Sequence, residues 1–368
     1  MIEAVERTTP RPAPPHWTRW VLPAAIAWSL AAATLGLFWL TEGAGYPFTT
    51  TVDPQAALNP MSLLHPRFGA ALVTGFGVVG VVAGMAMARR PSRPSAHRLL
   101  LAWSALAAIG LGVLLPDYRL LVLAGYAPVF VVGGLLGTIP TDVNWFDAVT
   151  WPVVVQAASV VGAFAWAGAG VAYARAGRGA CLRCGRDGHD EGWASPVRAR
   201  AWGRWAVVVA VAVPLVYAAT RYAWLLGIPL GISGELLREG QESGMWVAGA
   251  GLATVAVVGA ILTTGLISRW GEAVPGWLPF LGGRAIPPIL ATLPALVVAV
   301  LVTSAGVMFI RMVLAGGLES FGGANALGAI GPELIWPIWG VALGAAAIAY
   351  HLRRRGACPE CGRGAPAG

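Results

Sequence analysis

The sequence predicts an all-α integral membrane protein: eight transmembrane helices arranged as two parallel four-helix repeats. Three observations predict it. Of 368 residues, 57% are hydrophobic and only 11% charged, with a mean hydropathy of +0.68, whereas ordinary soluble domains carry about 25% charge. Eight uncharged or nearly uncharged runs approach the roughly 20 residues a bilayer crossing needs. Finally, the positive charge is unevenly spread along the chain. All 25 basic residues are arginine, which excludes lysine chemistry such as Schiff bases and a P-loop.

Residues 1–19, with Pro10, Pro12, Pro14 and Pro15, read as a disordered cytoplasmic tail without a cleavable signal. Trp20 to Thr41 is then an uncleaved signal-anchor, followed by spans Phe68 to Ala88, Leu99 to Pro116 and Ala148 to Ala174. The second set comprises Trp205 to about Ser233, interrupted by Arg221, then Ser243 to Ser268, Ala285 to Ile310 and Leu334 to Tyr350. Leu120 to Thr141 is a ninth apolar run. With eight spans and both termini cytoplasmic, 20 of the 25 arginines lie inside and only Arg67, Arg119, Arg221, Arg238 and Arg311 outside, as the positive-inside rule requires. A ninth span would put Arg175 to Arg204 outside, so 120–141 is expected to be re-entrant or surface-lying. The basic surplus then faces the anionic lipid headgroups of the cytoplasmic side, and nucleic acid need not be invoked.

The halves echo one another. Arg19-Trp20 matches Arg204-Trp205, Trp39-Leu40 matches Trp224-Leu225, and Trp151-Pro152 matches Trp336-Pro337, all at an offset of 185 residues. This divides the chain into a first repeat, 20–187, a cytoplasmic linker, 188–203, and a second repeat, 204–364. Four spans per repeat give both copies one orientation, related by an axis along the membrane normal.

Each repeat ends in the same motif, Arg178-Gly-Ala-Cys-x-x-Cys-Gly-Arg186 and Arg355-Gly-Ala-Cys-x-x-Cys-Gly-Arg363. Cys181, Cys184, Cys358 and Cys361 are all the cysteines present. Two Cys-x-x-Cys-Gly knuckles are the usual halves of a four-cysteine zinc site, and duplication explains their wide separation. Nearby Arg178, Arg183, Arg355 and Arg363 are expected to favour the thiolates. The expected role is a structural clamp between halves, since four thiolates leave no position for catalytic water. A redox pair or transient metal handling is the rival reading; His189 is a spare ligand.

No ionisable residue stands near mid-bilayer in the eight spans, which disfavours a proton relay or voltage sensor. At the outer boundary, Arg67, Arg119, Arg221, Arg311, Glu235 and Glu333 are candidate ligand-binding residues of an outward-facing vestibule, with Glu235, Glu239 or Asp117 as partners for Arg221. Arginine suits bidentate capture of carboxylate or phosphate; the plainer alternative is snorkelling or structural pairing. The short motifs of soluble enzymes are absent, so catalysis is not expected.

Leu37-Phe-Trp-Leu-Thr-Glu-Gly43, Arg221-Tyr-Ala-Trp-Leu-Leu-Gly-Ile-Pro-Leu-Gly231 and Leu334-Ile-Trp-Pro-Ile-Trp-Gly340 resemble a group of uncharacterised actinobacterial membrane proteins. That resemblance implies a bacterial plasma membrane and carries no activity. The functional expectation is binding or transport of a small solute or amphiphile through an outward-facing cavity between repeats. The alternatives are a sensor or scaffold docking a cytoplasmic protein partner, and a lipid- or quinone-modifying enzyme.

Overall fold

The computed structural model describes residues 16–90, 93–135, 137, 144–188, 192–274, 276, 282–317 and 327–364. Among them the chain is helical, with no strand and one isolated backbone bridge, Ala273 to Ala285. The α-helices are α1 (His16–Glu42), α2 (Pro66–Arg89), α3 (Pro94–Ile109), α4 (Tyr118–Leu135), α5 (Trp151–Gly177), α6 (Pro196–Leu225), α7 (Gly234–Glu242), α8 (Met245–Thr264), α9 (Pro288–Leu314), α10 (Leu327–Leu334) and α11 (Trp336–Arg353). A π-helical turn, Gly110–Leu114, extends α3. Nine helical stretches among the described residues are long and apolar enough to cross a membrane, so the chain is a multi-pass membrane protein in character.

Proline marks most beginnings. Pro66, Pro94, Pro152, Pro196, Pro288 and Pro337 stand in the first turns of α2, α3, α5, α6, α9 and α11, where a missing N–H leaves no helical bond unmade. Ser195 and Ser233 accept backbone N–H bonds as N-caps of α6 and α7. α1 starts at His16, so the last residues assigned to the tail are helical; residues 1–15 lie outside the described residues.

Both halves pack by one pattern. In the first, α1 contacts α2 and α5, and α3 contacts α5; in the second, α6 contacts α8 and α11, and α9 contacts α11. Close approach needs small residues, as is usual where lipid supplies no hydrophobic drive. A Cβ on Gly77 would meet the Ala33 backbone nitrogen at 2.5 Å, and one on Gly340 would meet the Ala299 carbonyl at 2.5 Å. The halves meet where α9 lies against the π turn and α4, and Leu120, Val153, Val160 and Leu301 form a shared apolar cluster.

Contacts identify the two ends of the bundle. The Arg175 guanidinium lies over the Trp17 ring at 5.4 Å, and His97 stacks on Tyr173 at 4.6 Å. The starts of α1 and α3 therefore share the cysteine end with the close of α5. At the far end, Trp151 Nε1 donates to Gly45 O (2.8 Å) and Asn59 Nδ2 to Leu115 O (2.7 Å). The run expected at 120–141 is a regular helix from Tyr118 to Leu135, counted among the nine candidates by length and composition. The chain nevertheless leaves the far end at Asp117 and is back there at Trp151.

Candidate metal centre

Each knuckle is set by backbone geometry. Cys181 N–H donates to Arg186 O (2.9 Å) and Gly185 N–H to Cys181 O (2.7 Å); Cys358 N–H donates to Arg363 O (2.9 Å) and Gly362 N–H to Cys358 O (2.8 Å). Gly185 and Gly362 adopt φ of 75° and 67°, the left-handed region glycine enters without Cβ strain. The loops thus fold alike and turn their sulfurs toward each other.

All four Sγ atoms lie within 4.8 Å of one another. Cys181 and Cys358 are 3.8 Å apart, Cys184 and Cys361 3.6 Å. A disulfide needs about 2.05 Å, whereas tetrahedral thiolates about 2.3 Å from a zinc ion sit about 3.8 Å apart. The cluster therefore has the dimensions of a metal site. His189 lies outside the described residues.

Arginine joins the knuckles, mostly through carbonyls. The Arg186 guanidinium donates to Arg355 O (2.8 Å), Arg363 O (2.9 Å) and Gly356 O (3.0 Å), and Arg363 returns a bond to Arg186 O (3.2 Å). Arg355 donates to Cys184 O and Ala194 O, Arg175 to Leu182 O and Arg183 O, and Arg183 pairs with Glu360 at 3.6 Å. Burial pushes the Cys184 thiol up to about 12 and also raises Cys361. Burial opposes ionisation of Cys358 too, but the N–H groups of Cys361 and Glu360 outweigh it and bring that thiol down to about 7. Backbone N–H groups first, and the neighbouring Cys361 and Cys184 thiols after them, are what favour a thiolate at Cys358. The two residues that do most to join the knuckles, Arg186 and Arg355, were both visible in the repeated motif, the one closing its first copy and the other opening its second.

The outer-boundary candidates do not gather into one vestibule. Arg119 is held between Asp53 (2.7 Å) and Asp117 (2.6 Å), and Asp117 exchanges two hydrogen bonds with Gln156. Arg311 donates to Leu114 O (3.1 Å) and Leu58 O (3.4 Å) across the halves, beside Ser304 donating to Pro116 O (2.7 Å). Arg221 is buried in an ion pair with Glu333, donates to Ala329 O, and is sandwiched by the Tyr217 and Trp224 rings at 4.6 and 4.3 Å. Glu333 thus replaces Glu235, Glu239 and Asp117 as its partner. Glu235 opens α7 and Arg67 opens α2, both exposed. Sequence reasoning missed Asp53, Asn59, Gln156 and Ser304, whose partners are remote in sequence. No family model, curated protein or solved structure matches the chain, and the resemblance at its helix ends assigns no family.

Proposed function

We propose that this chain is a zinc-stapled membrane protein of two parallel four-span repeats, which binds a small solute or amphiphile within a rigid body. Parity supports eight crossings: α1 starts and α5 ends at the cysteine end, so the segment between Asp117 and Trp151 adds no net crossing. Duplication gains support from the matched helix pairing and from knuckle meeting knuckle, as a pseudo-twofold axis requires. The positive-inside bias puts the cysteine end in the cytoplasm. A four-thiolate set suits zinc or an iron centre; the knuckle motif favours zinc, and iron would betray itself by visible absorption.

The observation that carries binding over transport is the pair of locks between the halves. The cysteines and arginines hold them at one end, and toward the other Arg311 holds the Leu114 carbonyl of the π turn and Ser304 the Pro116 carbonyl just beyond it. Rocking of one repeat against the other, the usual route to alternating access, would break both. Non-cysteine spin labels at the exposed far-end residues Leu63 and Leu226 test this in nanodiscs. One narrow distance distribution, unchanged by a pH gradient or membrane potential, is expected; two interconverting populations would restore the transport reading.

A further inference from the structure

α8 and α9 are consecutive candidate spans, yet their faces part near the cysteine end and leave a cavity of about 530 Å³. That volume falls within the roughly 300–1,000 Å³ of small-molecule sites. Its walls are apolar: Leu262 from α8, Ala295 and Val298 from α9, Leu343 from α11, with Trp270 from the connector. Thr263, also at the wall, donates its hydroxyl to Gly259 O within its own helix, so it offers incoming ligands little. Pro294 and Gly259 line the gap, and a Cβ on Gly259 would meet nothing within 4 Å, so the missing side chain leaves part of the space open.

The described connector residues 268–274 and 282–287 border the cysteine end of the cavity through Trp270, Gly271, Val274 and Ile286, and are tied by the bonds Val274 N–H to Arg284 O (2.9 Å) and Gly283 N–H to Val274 O (2.8 Å). Arg269 adjoins Trp270 in the chain and Arg284 pairs with Val274, so both cations flank lining residues. Both are exposed, and neither has an ion-pair partner among the described residues. The connector's one acidic residue described there, Glu272, is already taken by Arg353 and Arg354 of α11. An apolar slot whose lining residues Trp270 and Val274 neighbour two exposed arginines complements a molecule with an apolar tail and an anionic head.

We propose that this cavity holds the tail of an anionic membrane lipid, whose phosphate is met by Arg269 and Arg284. The assignment rests on the binding function proposed above and names its ligand class. The test is native mass spectrometry of the full chain in detergent, titrated separately with dioleoylphosphatidylglycerol and dioleoylphosphatidylcholine. The wild type should retain one phosphatidylglycerol at least tenfold more tightly than phosphatidylcholine. Ala295→Trp, which fills the slot, should lose both lipids; Leu290→Trp at the exposed rim is a second filling variant. Arg269→Gln combined with Arg284→Gln should abolish the preference and leave phosphatidylcholine unchanged. The metal mass in each spectrum reports that the variant is folded. Equal affinity of the wild type for the two lipids would overturn the anionic headgroup. Undiminished phosphatidylglycerol binding in both filling variants would overturn the cavity while leaving amphiphile binding intact. Retention of no lipid or other amphiphile by the wild type would overturn the binding reading as well.

Discussion

Arg119 shows how a single side chain is committed by its neighbours. Asp53 and Asp117, 8% and 1% exposed at their side chains, share it, so Arg119→Leu strands two carboxylates. Removing one partner of a buried pair costs about 3–5 kcal/mol, and a loss of that size is expected in denaturant unfolding in detergent; Asp53→Asn in the same background should recover part of it. At the metal centre, Cys358→Ser should abolish the bound metal while leaving the helical content intact, checked by metal analysis and circular dichroism. Zinc requires deprotonated thiols. Because Cys358 is depressed to about 7 in the folded protein, it is already ionised at pH 8, and zinc uptake there should release fewer than four protons. Proton release should rise as pH falls through 7, read from calorimetry in buffers of differing ionisation enthalpy. The cysteine pattern was fully legible beforehand, because two identical motifs with turn glycines leave few other readings. The arginine pairings were not, since Arg221 and Glu333 are 112 residues apart and composition says nothing of which acid meets which base.

Helices were legible for a different reason. A bilayer crossing writes itself as a long apolar run, and the proline at the head of six helices fixes where each starts. What apolar periodicity hides is contact: with lipid as hydrophobic as the core, a buried leucine and an exposed one read alike, and Leu99 and Leu106 are indeed outward-facing. Contact is carried by glycine. Gly77→Val places its branches against the Ala33 backbone, and overpacking of this kind costs about 1–3 kcal/mol, read by denaturant unfolding in detergent; Gly75→Val, whose Cβ meets nothing within 4 Å, should be near neutral in the same assay. α4 marks the limit of sequence reading at this scale. Its 18 residues suffice in length and hydropathy, and only the whereabouts of Asp117 and Trp151 bear on whether it crosses.

For the whole molecule, side assignment is the quantity at stake. A membrane-impermeant reagent should label Leu63→Cys and Leu135→Cys from outside, and Val197→Cys only after permeabilisation, all three being exposed positions. Labelling of Leu135→Cys from inside would mean that α4 crosses and that the chain crosses back before Trp151, overturning the count of eight.

The last turn of α11 has a double duty. Tyr350 donates to Gly271 O (2.7 Å), Arg353 to Leu266 O (2.8 Å) and Arg354 to Ile286 O (3.1 Å), and a few residues later Cys358 joins the sulfur cluster. The same short stretch of backbone thus straps the connector and completes the metal site. Since it follows every candidate span in the order of synthesis, neither can close until the ribosome has delivered α11. During translation the first knuckle therefore waits with its two thiols unmatched, and the four-sulfur cluster forms only once the second knuckle has emerged.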